Sequence, residues 1–192
     1  CWLISIEVVH AMDDKKMYKI LQMWFPELEK RKIPKKEQRH SFTEFLAWII
    51  GHKEKHQDTR YLMTISRHAY VQNELEKSAL LQARAVSVVD IQQRICQRAQ
   101  PIVEHFEAHK AMIGRYYNVQ DQVFDIVFEE ITQLLASAQM ELLLIYAQDY
   151  HWIAVPNDAD KIEKFCRYFD KQFKSEQISI EQYSILGCAR ST

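Results

Sequence analysis

Three glycines and four prolines in 192 residues leave this chain few places to reverse direction sharply. Tight hairpin turns need φ > 0, which glycine supplies at no steric cost, so a turn-rich all-β architecture is excluded. Collagen-like and linker-like chains fall with it. So do phosphate loops built on clustered glycines, because the backbone cannot approach a phosphate closely without them. At 47% hydrophobic and 27% charged, the chain lies outside the composition of disordered proteins and has enough apolar surface for a packed core.

Apolar periodicity points to helices. Met17, Tyr18, Ile20, Leu21, Trp24 and Phe25 recur at helical spacing behind Asp13 and Asp14, and Pro26 ends the pattern. Ser41-Phe42-Thr43-Glu44 is a capping box, in which the Ser oxygen accepts from the Glu44 amide, and it opens a helix bearing Phe45, Trp48 and Ile49. Two helical patterns follow Gly51, one with Tyr61, Leu62, Ile65, Leu75 and Leu80, the next with Ile91, Ile95 and Cys96. Pro101 is expected to open another helix carrying Ile102, Phe106 and His109 and ending near Gly114. From Val119 to Ala147 a stripe of Val123, Ile126, Val127, Ile131 and Leu134 runs into Leu142–Ala147, apolar all round. Ile162, Phe165, Cys166, Phe169 and Phe173 form the cleanest amphipathic pattern, and Ser179-Ile180-Glu181-Gln182 repeats the capping-box spelling before a short last helix.

The expected fold is all-α: a single multi-helical domain over 1–192 with roughly seven to nine helices, an exposed basic loop at 30–40 and a frayed tail at 188–192. The alternative is α+β, with a small sheet drawn from Trp2–Val9, Ala85–Val89 and His151–Val155. No apolar run approaches the roughly 18 residues of a membrane span. The four cysteines, with no CxxC pair, fit a reducing compartment, so a cytoplasmic location is expected. Because the chain begins at Cys1, a segment upstream is expected to be missing or removed.

Formal charge is −1, but its distribution is uneven. Between Tyr116 and Asp160 there is no Lys or Arg, while Asp121, Asp125, Glu129, Glu130, Glu141, Asp149, Asp158 and Asp160 are all acidic. Asp121, Asp125 and Glu129 repeat at i, i+4, i+8 and stack on one helix face, where like charges repel. That is either a solvated face opposite the core, an oxygen-ligand set for a divalent metal, or a surface that receives a basic partner. Tyr146, Asp149, Tyr150 and Trp152 cluster with it, and such aromatics supply rigid contact area at binding hot spots.

No hydrolase elbow, zinc-protease or P-loop motif is spelled out. The leading expectation is therefore a non-enzymatic interaction module of the adaptor, secretion-chaperone or immunity type. It would use Asp121, Asp125, Glu129, Tyr146, Asp149, Tyr150 and Trp152 to hold a protein with a basic or amphipathic helical segment, without a cofactor and without contact to a membrane. A competing reading is a metal-dependent helical enzyme ligated by His52, His56, His105 and His109, two pairs at i, i+4. A third is a nucleic-acid-associated regulator acting through Lys30 to Arg39, disfavoured because the chain is not basic and the stretch has no interleaved aromatics.

Overall fold

A computed structural model of the chain describes residues 15–51, 60–65, 70–113 and 118–184. Among these, six helices and four strands alternate in the order α1 (Lys16–Trp24), α2 (Phe42–Ile50), β1 (Met63–Ile65), α3 (Ala79–Ala83), α4 (Val89–Ile113), α5 (Val119–Ser137), β2 (Met140–Tyr146), β3 (Tyr150–Pro156), α6 (Ala159–Phe173) and β4 (Ser179–Gln182). The strands form one antiparallel sheet in the order β1-β3-β2-β4. The fold is therefore α+β, which overturns the all-α expectation of seven to nine helices and agrees with its alternative. Of the three segments proposed for a sheet, His151–Val155 lies in β3. Ala85–Val89 is a connection running into α4, and Trp2–Val9 lies outside the described residues.

Helices cover the sheet on both faces. Leu143, Ile145, Ile153, Val155 and Ile180 point to one side and pack with α1, α2 and α6, where Phe42, Phe45, Phe165, Phe169 and Phe173 are buried. Leu142, Leu144, Trp152 and Ala154 point to the other side, against α3, α4 and α5. Side chains alternate along a strand, so covering both faces makes every position apolar. That is the physical reason Leu142–Ala147 reads as a helix apolar all round and folds instead into β2. Ser179–Gln182 departs from its capping-box reading for a related reason: Ile180 pairs with Ile145 and enters the first core, which only an extended backbone allows at that position.

Other local signals hold. The Ser41 hydroxyl accepts from the Glu44 amide at 3.4 Å, and Glu176 Oε1 takes the Phe42 amide at 3.0 Å, satisfying two of the open donors at the start of α2. Asp158 caps α6 through the Lys161 amide. Asp13 and Asp14 lie outside the described residues. Pro101 does not open a helix. It lies inside the 25-residue α4, where it removes one backbone donor.

Both outer edges of the sheet carry carboxylate caps. Glu74 Oε2 accepts from the Thr64 amide of β1 at 2.9 Å, and Asp170 Oδ1 accepts from the Ile180 amide of β4 at 2.9 Å. Each occupies a backbone donor that a foreign strand would otherwise pair.

Candidate functional site

The hairpin of β2 and β3 ends in an aromatic corner. Its register sets Tyr146 opposite Tyr150, with ring centroids 5.9 Å apart and edge-on. Tyr150 packs on Phe124 at 4.8 Å and on Phe128 at 5.6 Å, so the apolar stripe of α5 forms its platform. Phe128 also meets Tyr183 at 5.6 Å. The Tyr146 hydroxyl donates to Glu181 Oε1. Burial first, then the Glu181 bond, then the neighbouring Tyr150 and Asp125, push that hydroxyl well above its ordinary pKa, so it stays a donor.

Carboxylates rim the corner. Asp125 is exposed on α5 and is close enough to act on Tyr146; Asp121, one turn earlier, is exposed in the first turn and bonds the Asn118 side chain. Asp121 gains from the helix N-terminus beside it. Asp149 is half-buried in the hairpin loop, and Glu181 is exposed on β4. Asp121, Asp125, Tyr146, Asp149 and Tyr150 thus belong to one end of the molecule, with Glu181 as a member that sequence reasoning assigned to a helix start.

Two residues of the expected set lie elsewhere in function. Trp152 is fully buried in the second core and donates its indole N–H to the Asn73 carbonyl at 3.0 Å, so it has no surface to offer. Glu129 is paired with Arg98 Nη2 at 2.6 Å. Its neighbour Glu130, only 3% exposed, takes Arg94 Nε and Arg98 Nη1, each at 2.8 Å. Burial raises the Glu130 pKa, but the two guanidinium groups together outweigh it and hold the carboxyl below its ordinary value. This cluster joins α4 to α5. A sequence signal for it existed: Glu130 falls on the stripe of Ile126, Val127 and Leu134, and a carboxylate on a buried stripe requires cationic partners.

His151, at the opposite face of the same hairpin, is buried near the Phe42 ring with its Nδ1 3.0 Å from Thr64 Oγ1. Burial lowers its pKa, against the pull of Asp149 and Glu74, and so favours the neutral ring.

His52 and His56 lie outside the described residues, so the four-histidine reading has half its ligands without a place. Among the described residues no three His, Cys, Asp or Glu side chains converge as a metal cage. Cys96 and Cys166 are unpaired and half-buried; burial and then Asp170 push the Cys166 thiol up to about 12, which makes it a poor nucleophile.

Part of the basic stretch is spent within the fold. Arg31 Nη1 donates to the Trp48 and Ile49 carbonyls at 2.8 and 2.7 Å, capping the end of α2, and buried Arg39 donates to the Pro34 carbonyl at 2.8 Å. Lys30, Lys32, Lys35 and Lys36 remain exposed. No described helix is long and apolar enough to cross a membrane. Compared with protein-family models, curated proteins and solved structures, the chain matches none of them.

Proposed function

We propose that the protein is a docking module that holds a basic, amphipathic segment of another protein on the corner formed by Asp121, Asp125, Tyr146, Asp149, Tyr150 and Glu181. The observation that carries this reading is the different fate of the acidic residues along α5. Glu129 and Glu130 are bound by arginines of α4, while Asp121, bonded to Asn118, and Asp125 hold exposed carboxylates on the turns of α5 that flank Phe124, the platform of Tyr150. A one-sign rim around rigid aromatics steers a cationic partner and gives it apolar area to bury.

The apolar contribution comes from the half-buried rings of Tyr146 and Tyr150. A helix with cations on one side and apolar residues on the other fits such a surface.

The test is affinity capture from the native host with wild-type protein beside an Asp121→Lys/Asp125→Lys variant. A specific partner with a basic helical segment that is captured by wild type and lost by the variant supports the reading, provided the two proteins melt alike. A partner captured equally by both overturns it. Glu129 is left out of the variant, since reversing it would break the Arg98 pair and confuse docking with folding.

A further inference from the structure

We propose that His105 and His109 on α4 form a surface chelate for a late first-row divalent ion, of the class nickel, copper or zinc. The two residues are one helical turn apart, and their rings meet in a tilted stack on one helix face, with centroids 4.4 Å apart and planes 33° from parallel. His109 Nδ1 is 2.9 Å from the His105 carbonyl oxygen. A carbonyl can only accept, so Nδ1 carries a proton, and in the neutral imidazole Nε2 then keeps its lone pair. A donor bond from one ring nitrogen to a backbone carbonyl is the arrangement that fixes a metal-binding imidazole in the ligating tautomer. Imidazole nitrogens suit the late first-row ions, and two of them leave the remaining positions to water.

The nearby carboxylates are committed elsewhere. Glu104 accepts from Gln100 at 2.6 Å and Glu107 from Lys110 at 2.6 Å. Access is open: from Gln100 to Met112 no side chain is buried, and Met112 is 78% exposed. This half of α4 has little tertiary support and contains the proline that interrupts its hydrogen bonding. An ion held at i and i+4 requires the turn between them to be helical, so binding and helix formation reinforce each other. The site is independent of the docking corner.

The test uses nickel(II) alone with the full chain. Titration is followed by competition with a chromophoric chelator and by the histidine ring signals in NMR. Hydrogen exchange is measured over residues 101–112 with and without nickel. Wild type is expected to bind one equivalent and to gain amide protection across that segment. His109→Ala is expected to weaken binding about tenfold or more and abolish the protection. A His52→Ala/His56→Ala variant is expected to behave as wild type. Nickel binding that is absent, that survives in a His105→Ala/His109→Ala variant, or that protects no amide of residues 101–112 would overturn the proposal. Both histidines lie on the surface of a half-helix without buried side chains, so these variants leave the fold intact.

Discussion

Single residues decide where charge can be used. Glu130 illustrates the rule that a buried carboxylate is tolerable only with cations and hydrogen bonds around it. Glu130→Ala removes the carboxylate from Arg94 and one of two from Arg98, which keeps Glu129; the two arginines are 46% and 40% exposed and can turn to water, so the expected loss is about 2 kcal/mol, below that of a fully buried pair. Urea unfolding with an unchanged slope checks it. Gly51 closes α2 with φ 84°, and a Cβ there would meet Arg31 Nη2 at 2.9 Å. Gly51→Ala therefore combines backbone strain with displacement of the arginine that caps the helix, an expected cost of about 1–2 kcal/mol. The pH dependence follows from two lowered pKa values. His151 is held neutral in the fold below its ordinary 6.5, so between these two values the unfolded chain binds more protons. Its contribution is complete above pH 6.5 and is lost as pH falls through the folded value. Glu130 adds a second loss of the same sign below its ordinary 4.5. Stability is thus expected to rise with pH from the acid side to neutrality, and His151→Gln should flatten the upper part of that rise. A midpoint insensitive to pH between about 5 and 7 in wild type would contradict this assignment.

At the scale of elements, legibility tracks how many faces a segment buries. α6 was readable because it buries one stripe and exposes the other side, leaving Ile162, Phe165, Phe169 and Phe173 at helical spacing against Lys164 and Arg167. α2 was readable from Ser41 and Glu44, whose chemistry is local. β2 was not, because a central strand between two helical layers erases the period of two that would have marked it. β4 is four residues long, too short for periodicity to outweigh a cap-like spelling. Pro101 misled in another way: proline is commonest at a helix start, and only the continuity of α4 reveals it as an interruption. Pro101→Ala is expected to slow amide exchange across residues 101–112 while barely moving the melting temperature, since that half contributes no buried side chain to the global transition. The capped sheet edges lead to a different expectation. Asp170→Ala uncovers the Ile180 amide, and the variant should self-associate at concentrations where wild type sediments as one unchanged species. Analytical ultracentrifugation distinguishes the two.

Across the whole molecule, a formal charge of only −1 hides an organisation that the fold makes explicit. The cation-free segment from Tyr116 to Asp160 supplies α5, β2 and β3 and the start of α6, so its acidic residues are distributed over several elements. The fold divides them. Glu129 and Glu130 are neutralised by arginines reaching from α4, Asp158 caps α6, Glu141 and Asp160 lie at the far end of the hairpin and the start of α6, and Asp121, Asp125 and Asp149 lie toward the tyrosine pair. The candidate surface was therefore legible as a region but not as a set. Asp121, Asp125, Tyr146, Asp149 and Tyr150 share it, whereas Trp152 belongs to the core, Glu129 to the helix clamp, and Glu181 arrives from a distant strand through pairing that no local spacing reveals. The most direct measurement is an NMR titration of the protein with a synthetic basic amphipathic helical peptide, following the ring and amide signals of Tyr146 and Tyr150 at low and high salt. Saturable shifts centred on those tyrosines and on Asp121 and Asp125 are expected, weakened by salt and absent in Asp121→Lys/Asp125→Lys. Shifts centred instead on the Arg94, Arg98 and Glu130 cluster, or undiminished in the charge-reversed variant, would contradict the docking reading.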